Sequence, residues 1–217
     1  MTAVAPRRRI RDPVATKRRL LEAAQTEFAA HGFQGARLRD IAKRAGVQPA
    51  LIHHYFDDKE GLYRAMLDAA FAEPSSLSWD ILDQVPDFPA LVDGFVTMLL
   101  AYHDDQRELI SILRRESAAG SPASSLTEER VVEHIAPIID AVVGVISDEQ
   151  TKGTVRADLD PRELVLTSLS MCAYPFLEEV FLAACIPGGL VQNEAGFARR
   201  KARIVEVVMR QAAPPKS

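Results

Sequence analysis

Between Gln48 and Lys59 the chain gathers side chains suited to hydrogen bonding with a charged polymer: Gln48, His53, His54, Tyr55 and Lys59, with Arg37 and Arg39 shortly upstream. Gln, His and Tyr can each donate and accept, and Arg and Lys neutralise phosphates, so the chemistry is recognition of a polyanion. On a helical wheel at about 100° per residue, Ile52 and Phe56 share one face, while Ala50, Leu51, His53 and His54 point away from it. Pro49 suits the first turn of such a helix, where its missing N–H is not needed. Ala50 and Leu51 gain nothing by facing water. Against a DNA major groove they meet thymine methyls, and His54 can donate to a purine N7 or accept from a base amine. Arg39, His53, Tyr55 and Lys59 flank this face as phosphate contacts, Lys59 at a helix start that itself favours anions. The alternative is a solvated helix with one stray apolar residue.

Catalysis finds no foothold. The chain has no phosphate loop, HExxH, CxxC or Gly-x-Ser-x-Gly. His53 and His54 are neighbours on a helix, diverge by about 100° and cannot easily share a metal ion. No enzyme activity, catalytic residue, cofactor or metal is expected. Cys172 and Cys185 are the only cysteines. On one continuous helix they would stand about 20 Å apart, too far to bridge, and they read as structural thiols.

The net charge of −4 conceals a split. Residues 1–72 carry 13 Lys/Arg against 8 Asp/Glu, a balance of +5, and residues 73–217 carry 13 against 22, a balance of −9. A basic head on an acidic body fits a molecule whose first third meets nucleic acid. The longest uncharged apolar run, Leu164 to Leu177, has 14 residues, short of the roughly 20 that a membrane span needs. With no apolar segment after Met1, no secretory signal is expected. The expected location is the cytoplasm, with no membrane partner.

These side chains need helices to position them. Residues 1–13, with Arg7-Arg8-Arg9-Ile10-Arg11, read as a basic flexible arm, either a minor-groove contact or a solubilising tail. A helix from Val14 to His31 stops at Gly32. A second runs from Leu38 to Ala45 and stops at Gly46, a third spans about 49–56, and Asp58 caps a fourth over 59–72. Two short helices about a Gly-containing turn, packed on a longer one, form a helix-turn-helix. Pro74-Ser75-Ser76, Pro86 and Pro89 then suggest a linker. Helices are expected at about 88–103, 106–117, 126–150, 161–185 and 193–211, with Gly120-Ser121-Pro122 and Thr151-Lys152-Gly153 as breaks. No stretch alternates as a strand would, so the fold is all-α.

The run Gly46-Val47-Gln48-Pro49-Ala50-Leu51-Ile52-His53-His54-Tyr55-Phe56-Asp57-Asp58-Lys59-Glu60-Gly61-Leu62 resembles the signature of the TetR family of bacterial transcriptional regulators. Gly32-Phe33 and Arg39-Asp40-Ile41-Ala42-Lys43-Arg44-Ala45 match that family's first two helices, and Gly153 to Pro161 resembles a loop before one of its later helices. Ala36 and Arg37 depart from the usual Thr and from the Ser/Thr cap, removing one phosphate contact and one cap, although Arg37 can supply a phosphate contact of its own. The resemblance implies a three-helix DNA-binding domain over 14–72. A larger helical ligand-binding and dimerisation domain would follow over 73–217.

The implied function is a repressor that binds a palindromic double-stranded operator as a homodimer and is released by an unidentified small-molecule effector. Helix 161–185, apolar nearly all round, must be covered on two sides. The resemblance gives it and the last helix, with Phe197, Ile204, Val205, Val208 and Met209, to the dimer interface. Pro137 and Pro175, read as internal to helices, should kink them and open space. The pocket candidates are Phe95, Met98, Tyr102, His134, Met171 and Tyr174. A non-specific architectural DNA binder remains the rival reading.

Overall fold

The computed structural model describes residues 12–84, 86–119, 122–186, 191 and 193–215. The basic arm Arg7–Arg11 and most of the Gly120-Ser121-Pro122 break lie outside the described residues. Eleven helices and no strand are found among the described residues, in two compact units, Met1–Met66 and Leu67–Ser217.

In the first unit, α1 (Pro13–Gly35) is started by Asp12, whose carboxylate accepts from the N–H groups of Val14 and Ala15 at 3.0 and 3.2 Å. Gly32 leaves helical geometry at φ 68°, and beyond it Phe33 stacks back on Phe28, with ring centroids 5.9 Å apart. Helix α2 (Leu38–Ala45) ends at Gly46, whose φ of 66° lets the Gly46 and Val47 N–H groups reach the Lys43 and Ala42 carbonyls at 3.2 and 3.0 Å. This is the left-handed cap that glycine adopts without strain. Helix α3 (Ala50–Phe56) buries Ile52 and Phe56, as the wheel requires. Asp58 accepts from the Gly61 N–H at 2.8 Å and so caps α4 (Lys59–Gln84). Tyr63 on α4 closes the core edge-on against Phe28 and Phe33, at 5.1 and 5.2 Å.

Helix α4 does not stop near Ala72. It continues unbroken through Pro74-Ser75-Ser76 to Gln84, and the division between units falls inside it. A proline costs a helix one hydrogen bond, and tertiary packing outweighs that here: Phe71 and Ser78 are buried, and Ser75 Oγ donates to the His134 carbonyl at 3.4 Å.

The second unit is built on α5 (Phe88–Asp105), which packs against α9 (Pro161–Leu177) and α11 (Glu194–Ala212). Around them stand α6 (Arg107–Ala119), α7 (Pro122–His134), α8 (Ala136–Thr151) and α10 (Glu179–Cys185). Asp87, Asp160 and Asn193 cap α5, α9 and α11. The core joins Leu91, Val96, Leu100, Ile146, Leu164, Cys172, Phe176, Ile204 and Val208.

Two expected helices are each broken in two. The 126–150 helix divides at Ile135, so Pro137 sits in the first turn of α8, where its missing N–H is harmless. The 161–185 helix ends at Leu177, and α10 leaves it at 80°. Pro175 cannot donate to the Met171 carbonyl four residues back; the Arg200 guanidinium does so instead, at 2.6 Å. Arg114 receives the freed end of α9, donating to the Leu177 carbonyl at 2.6 Å and pairing with Glu178 at 3.2 Å. Cys172 and Cys185 therefore lie on different helices, and both are free thiols. Burial pushes the Cys172 thiol up to about 12. No single helix among the described residues is long and apolar enough to cross a membrane.

Candidate functional site

In the first unit, Arg37, Arg39, Gln48, Pro49, Ala50, His53 and His54 are exposed, and Leu51, Tyr55 and Lys59 are half-buried. Leu51 is thus less outward than the wheel placed it. Two of these residues also serve the unit's own structure. His53 Nδ1 donates to the Asp57 carbonyl at 2.8 Å, closing the end of α3. Lys59 Nζ donates to the Gln34 carbonyl at 3.2 Å and lies over the Phe33 ring, 5.0 Å from its centroid. His54 meets Tyr55 edge-on at 4.9 Å, and Arg39 lies 3.6 Å from Asp40. Arg37 precedes α2, exposed and without a side-chain cap bond. The surface these residues form is polar, cationic at one flank and carried on a seven-residue helix.

The second unit holds a partly open cavity of about 300 Å³ among α4 to α9 and α11. Of the pocket candidates, Phe95, Met98 and Tyr102 line it. His134, Met171 and Tyr174 do not. His134 turns its Nε2 to Asp68 at 3.1 Å and its ring toward Phe71, so a hydrogen bond holds it outside. Met171 packs against the core, and Tyr174 is 48 % exposed. The prolines misled because they end or begin helices where a kink was expected, and the cavity lies beside α5 instead. Phe71, Leu99, His103, Ile135, Ile139 and Leu169 line it without having been singled out. His103, next to Tyr102, was the one with a legible signal.

Burial sets the cavity's electrostatics. It raises the Tyr102 hydroxyl well above its usual range, so the phenol stays protonated. It lowers His103, an effect partly offset by the hydrogen bond that His103 Nδ1 donates to the Leu99 carbonyl at 2.6 Å. Among the described residues no group of three or more His, Cys, Asp or Glu could hold a metal ion.

Two family models cover most of the chain. Residues 20–66 match bacterial regulatory proteins of the tetR family, and residues 79–208 match the tetracyclin repressor-like C-terminal domain. The chain belongs to the TetR family. Among relatives, a Streptomyces coelicolor HTH-type transcriptional repressor is 30% identical over 82% of this chain and 88% of its own length. The HTH-type transcriptional regulator RutR of Escherichia coli is 28% identical over 73% and 72%. In fold, a transcriptional regulator from Pseudomonas aeruginosa superposes with a TM-score of 0.69 at 22% identity, over 94% of this chain and 95% of its own. The fatty acid degradation regulator FadR of Bacillus halodurans reaches 0.69 at 16%, over 88% and 97%. This TetR-family protein is a DNA-binding transcriptional regulator with an all-helical fold. Its α2–turn–α3 segment is the family's helix-turn-helix, and its cavity lies within the stretch that matches the C-terminal domain.

Proposed function

We propose that the protein is a homodimeric repressor that binds a palindromic operator and leaves it when a small, apolar effector fills the cavity. The DNA-binding domain comprises the helices through the start of α4, and the remainder binds ligand and dimerises. The observation that carries the DNA reading is the outward face of α3 and its approach. Gln48, Pro49, Ala50 and His54 are exposed there, in the order in which a recognition helix meets base edges with its first turns. Gln48, Ala50, Leu51 and His54 read bases, helped by Pro49, which sets the helix start. Arg37, Arg39, His53, Tyr55 and Lys59 face phosphates, with His53 and Lys59 doing so beside their structural bonds.

The dimer reading rests on apolar side chains left outside. Leu166 is 57 % exposed and shares a face of α9 with Ser170 and Tyr174 at four-residue spacing, and Val207 is exposed on α11. Ile204 and Val208, given to the interface by the family resemblance, are buried in the subunit's own core. A two-fold partner covering Leu166 and Val207 would supply the symmetry that a palindrome requires.

Selection of bound duplexes from a random pool tests the reading. An inverted repeat is expected, with affinity falling steeply as salt rises. His54→Ala should change base preference, and Arg39→Ala should weaken all sequences alike and flatten the salt slope by about one unit. Sedimentation should give a dimer, and Leu166→Glu should shift it toward monomer. An asymmetric or random pool product, or a monomeric wild type at micromolar concentration, refutes the proposal.

A further inference from the structure

Among the described residues the cavity wall is apolar apart from four polar residues: Ser78, Tyr102, His103 and Ser168. Three of them each have at least one partner. Ser168 Oγ donates to the Leu164 carbonyl at 2.8 Å, His103 Nδ1 donates to the Leu99 carbonyl, and Ser78 has a partner of its own. The Tyr102 hydroxyl differs. It is buried and has no hydrogen-bond partner among the described residues. A buried hydroxyl left unpaired is costly, and native structures rarely tolerate one without a purpose.

Charge is equally telling. Among the described residues no Lys, Arg, Asp or Glu lines the cavity, and burial holds the two titratable groups in its wall, Tyr102 and His103, toward their neutral forms. A carboxylate or ammonium ion entering here would lose its water and find no counter-charge. The volume of about 300 Å³ equals about ten water molecules at ~30 Å³ each, and therefore holds a skeleton of roughly ten non-hydrogen atoms.

We propose that the effector of this protein is a neutral, largely hydrocarbon molecule of roughly ten to twelve non-hydrogen atoms with one hydrogen-bonding head group, a ketone or alcohol, seated on the Tyr102 hydroxyl. The cavity rejects carboxylates and amines of the same skeleton. This rests on the ligand-release reading for its biological meaning and on the cavity alone for its chemistry. With an acceptor head group the Tyr102 O–H donates. The hydrocarbon tail lies against Phe95, Leu99, Ile139 and Leu169, whose side chains offer it only dispersion contacts.

The test is calorimetric titration at pH 7.5 of the full chain and of Tyr102→Phe with 2-decanone, decanoate and decylammonium, and a fluorescence titration with naphthalene as a hydrocarbon without a head group. The wild type should bind 2-decanone at least 100-fold more tightly than either ion. Tyr102→Phe should weaken 2-decanone about 3- to 10-fold, the worth of one net hydrogen bond, and leave naphthalene within about twofold. Its unliganded thermal midpoint should not fall, because the substitution deletes an unpaired group and no bond. Equal affinity for decanoate, unchanged ketone affinity in the variant, or no binding of either neutral probe overturns the proposal. Operator affinity measured with saturating 2-decanone separates the two readings. If the ketone binds as described but operator affinity is unaltered, release fails and the ligand class stands. If decanoate releases the operator as well as the ketone does, the ligand class fails and release stands.

Discussion

Replacing Arg44 by Met should loosen the DNA-binding unit far more than replacing its partner Glu27 by Gln. Arg44 Nε donates to Glu27 Oε1 at 2.9 Å across the α1–α2 contact, but the two side chains are unequally wet: Glu27 is 8 % exposed and Arg44 49 %. Two unit charges at about 4 Å attract by roughly 4 kcal/mol at an effective dielectric near 20, and water around Arg44 screens part of this. Exposed pairs are worth about 0.2–1 kcal/mol, and breaking a buried pair costs about 3–5 kcal/mol. With one partner buried and the other half out, Arg44→Met should cost about 2 kcal/mol, because the Glu27 carboxylate stays buried with only His31, 3.5 Å away, near it. Glu27→Gln strands only a guanidinium that can turn to water, and its amide oxygen still accepts, so its cost should stay below about 1 kcal/mol. The double variant should resemble Glu27→Gln alone. Hydrogen exchange of peptides from α1 and α2 reads this directly: about 2 kcal/mol is roughly 30-fold faster exchange. Equal effects of the two single variants, or less than a threefold change for Arg44→Met, would refute the reasoning.

Asp57, between α3 and α4, holds φ 64° and ψ −60°, and the Asp58 N–H donates to the Phe56 carbonyl at 2.7 Å across it. Only glycine holds such a turn without strain, so Asp57→Gly should stabilise the unit by about 0.5–1 kcal/mol net of the entropy lost; slower exchange in α3 is the expected result, and faster exchange counts against it. His103 is lowered chiefly by burial, so the unfolded chain takes up a proton first as pH falls. The stability of the C-terminal unit should therefore be full above about pH 6.5, the unfolded imidazole value, and fall progressively below it. The thermal midpoint of His103→Gln should drop less than that of the wild type between pH 7.5 and 5, and parallel curves would exclude His103 as the cause.

The helix-turn-helix was legible in the chain because its determinants are local. Gly32 and Gly46 must take positive φ, Asp58 must cap three residues on, and Ile52 and Phe56 must share a face at four-residue spacing. Each of these is decided within one helical turn, and the structure repeats them. The all-α class follows from periodicity in the same way. What depended on distant partners was not legible. Helix α4 passes through Pro74 because Phe71 and Ser78 find burial beyond it, and local propensity alone favoured a stop. Helix α9 ends after Pro175 because Arg200 and Arg114, 25 residues later and 61 residues earlier in the chain, take up carbonyls that a straight helix would have satisfied itself. The cavity was only half found for the same reason. Phe95, Met98 and Tyr102 share α5's inner face by helical spacing, whereas His134, Met171 and Tyr174 were placed by prolines whose helices broke. An enclosed space is a property of several helices at once, and no local pattern specifies which side chains will turn toward it. Sequence determined where the chain turns and which faces are apolar; tertiary packing decided which breaks are overridden, which carbonyls need an arginine, and which hydroxyl is left without a partner.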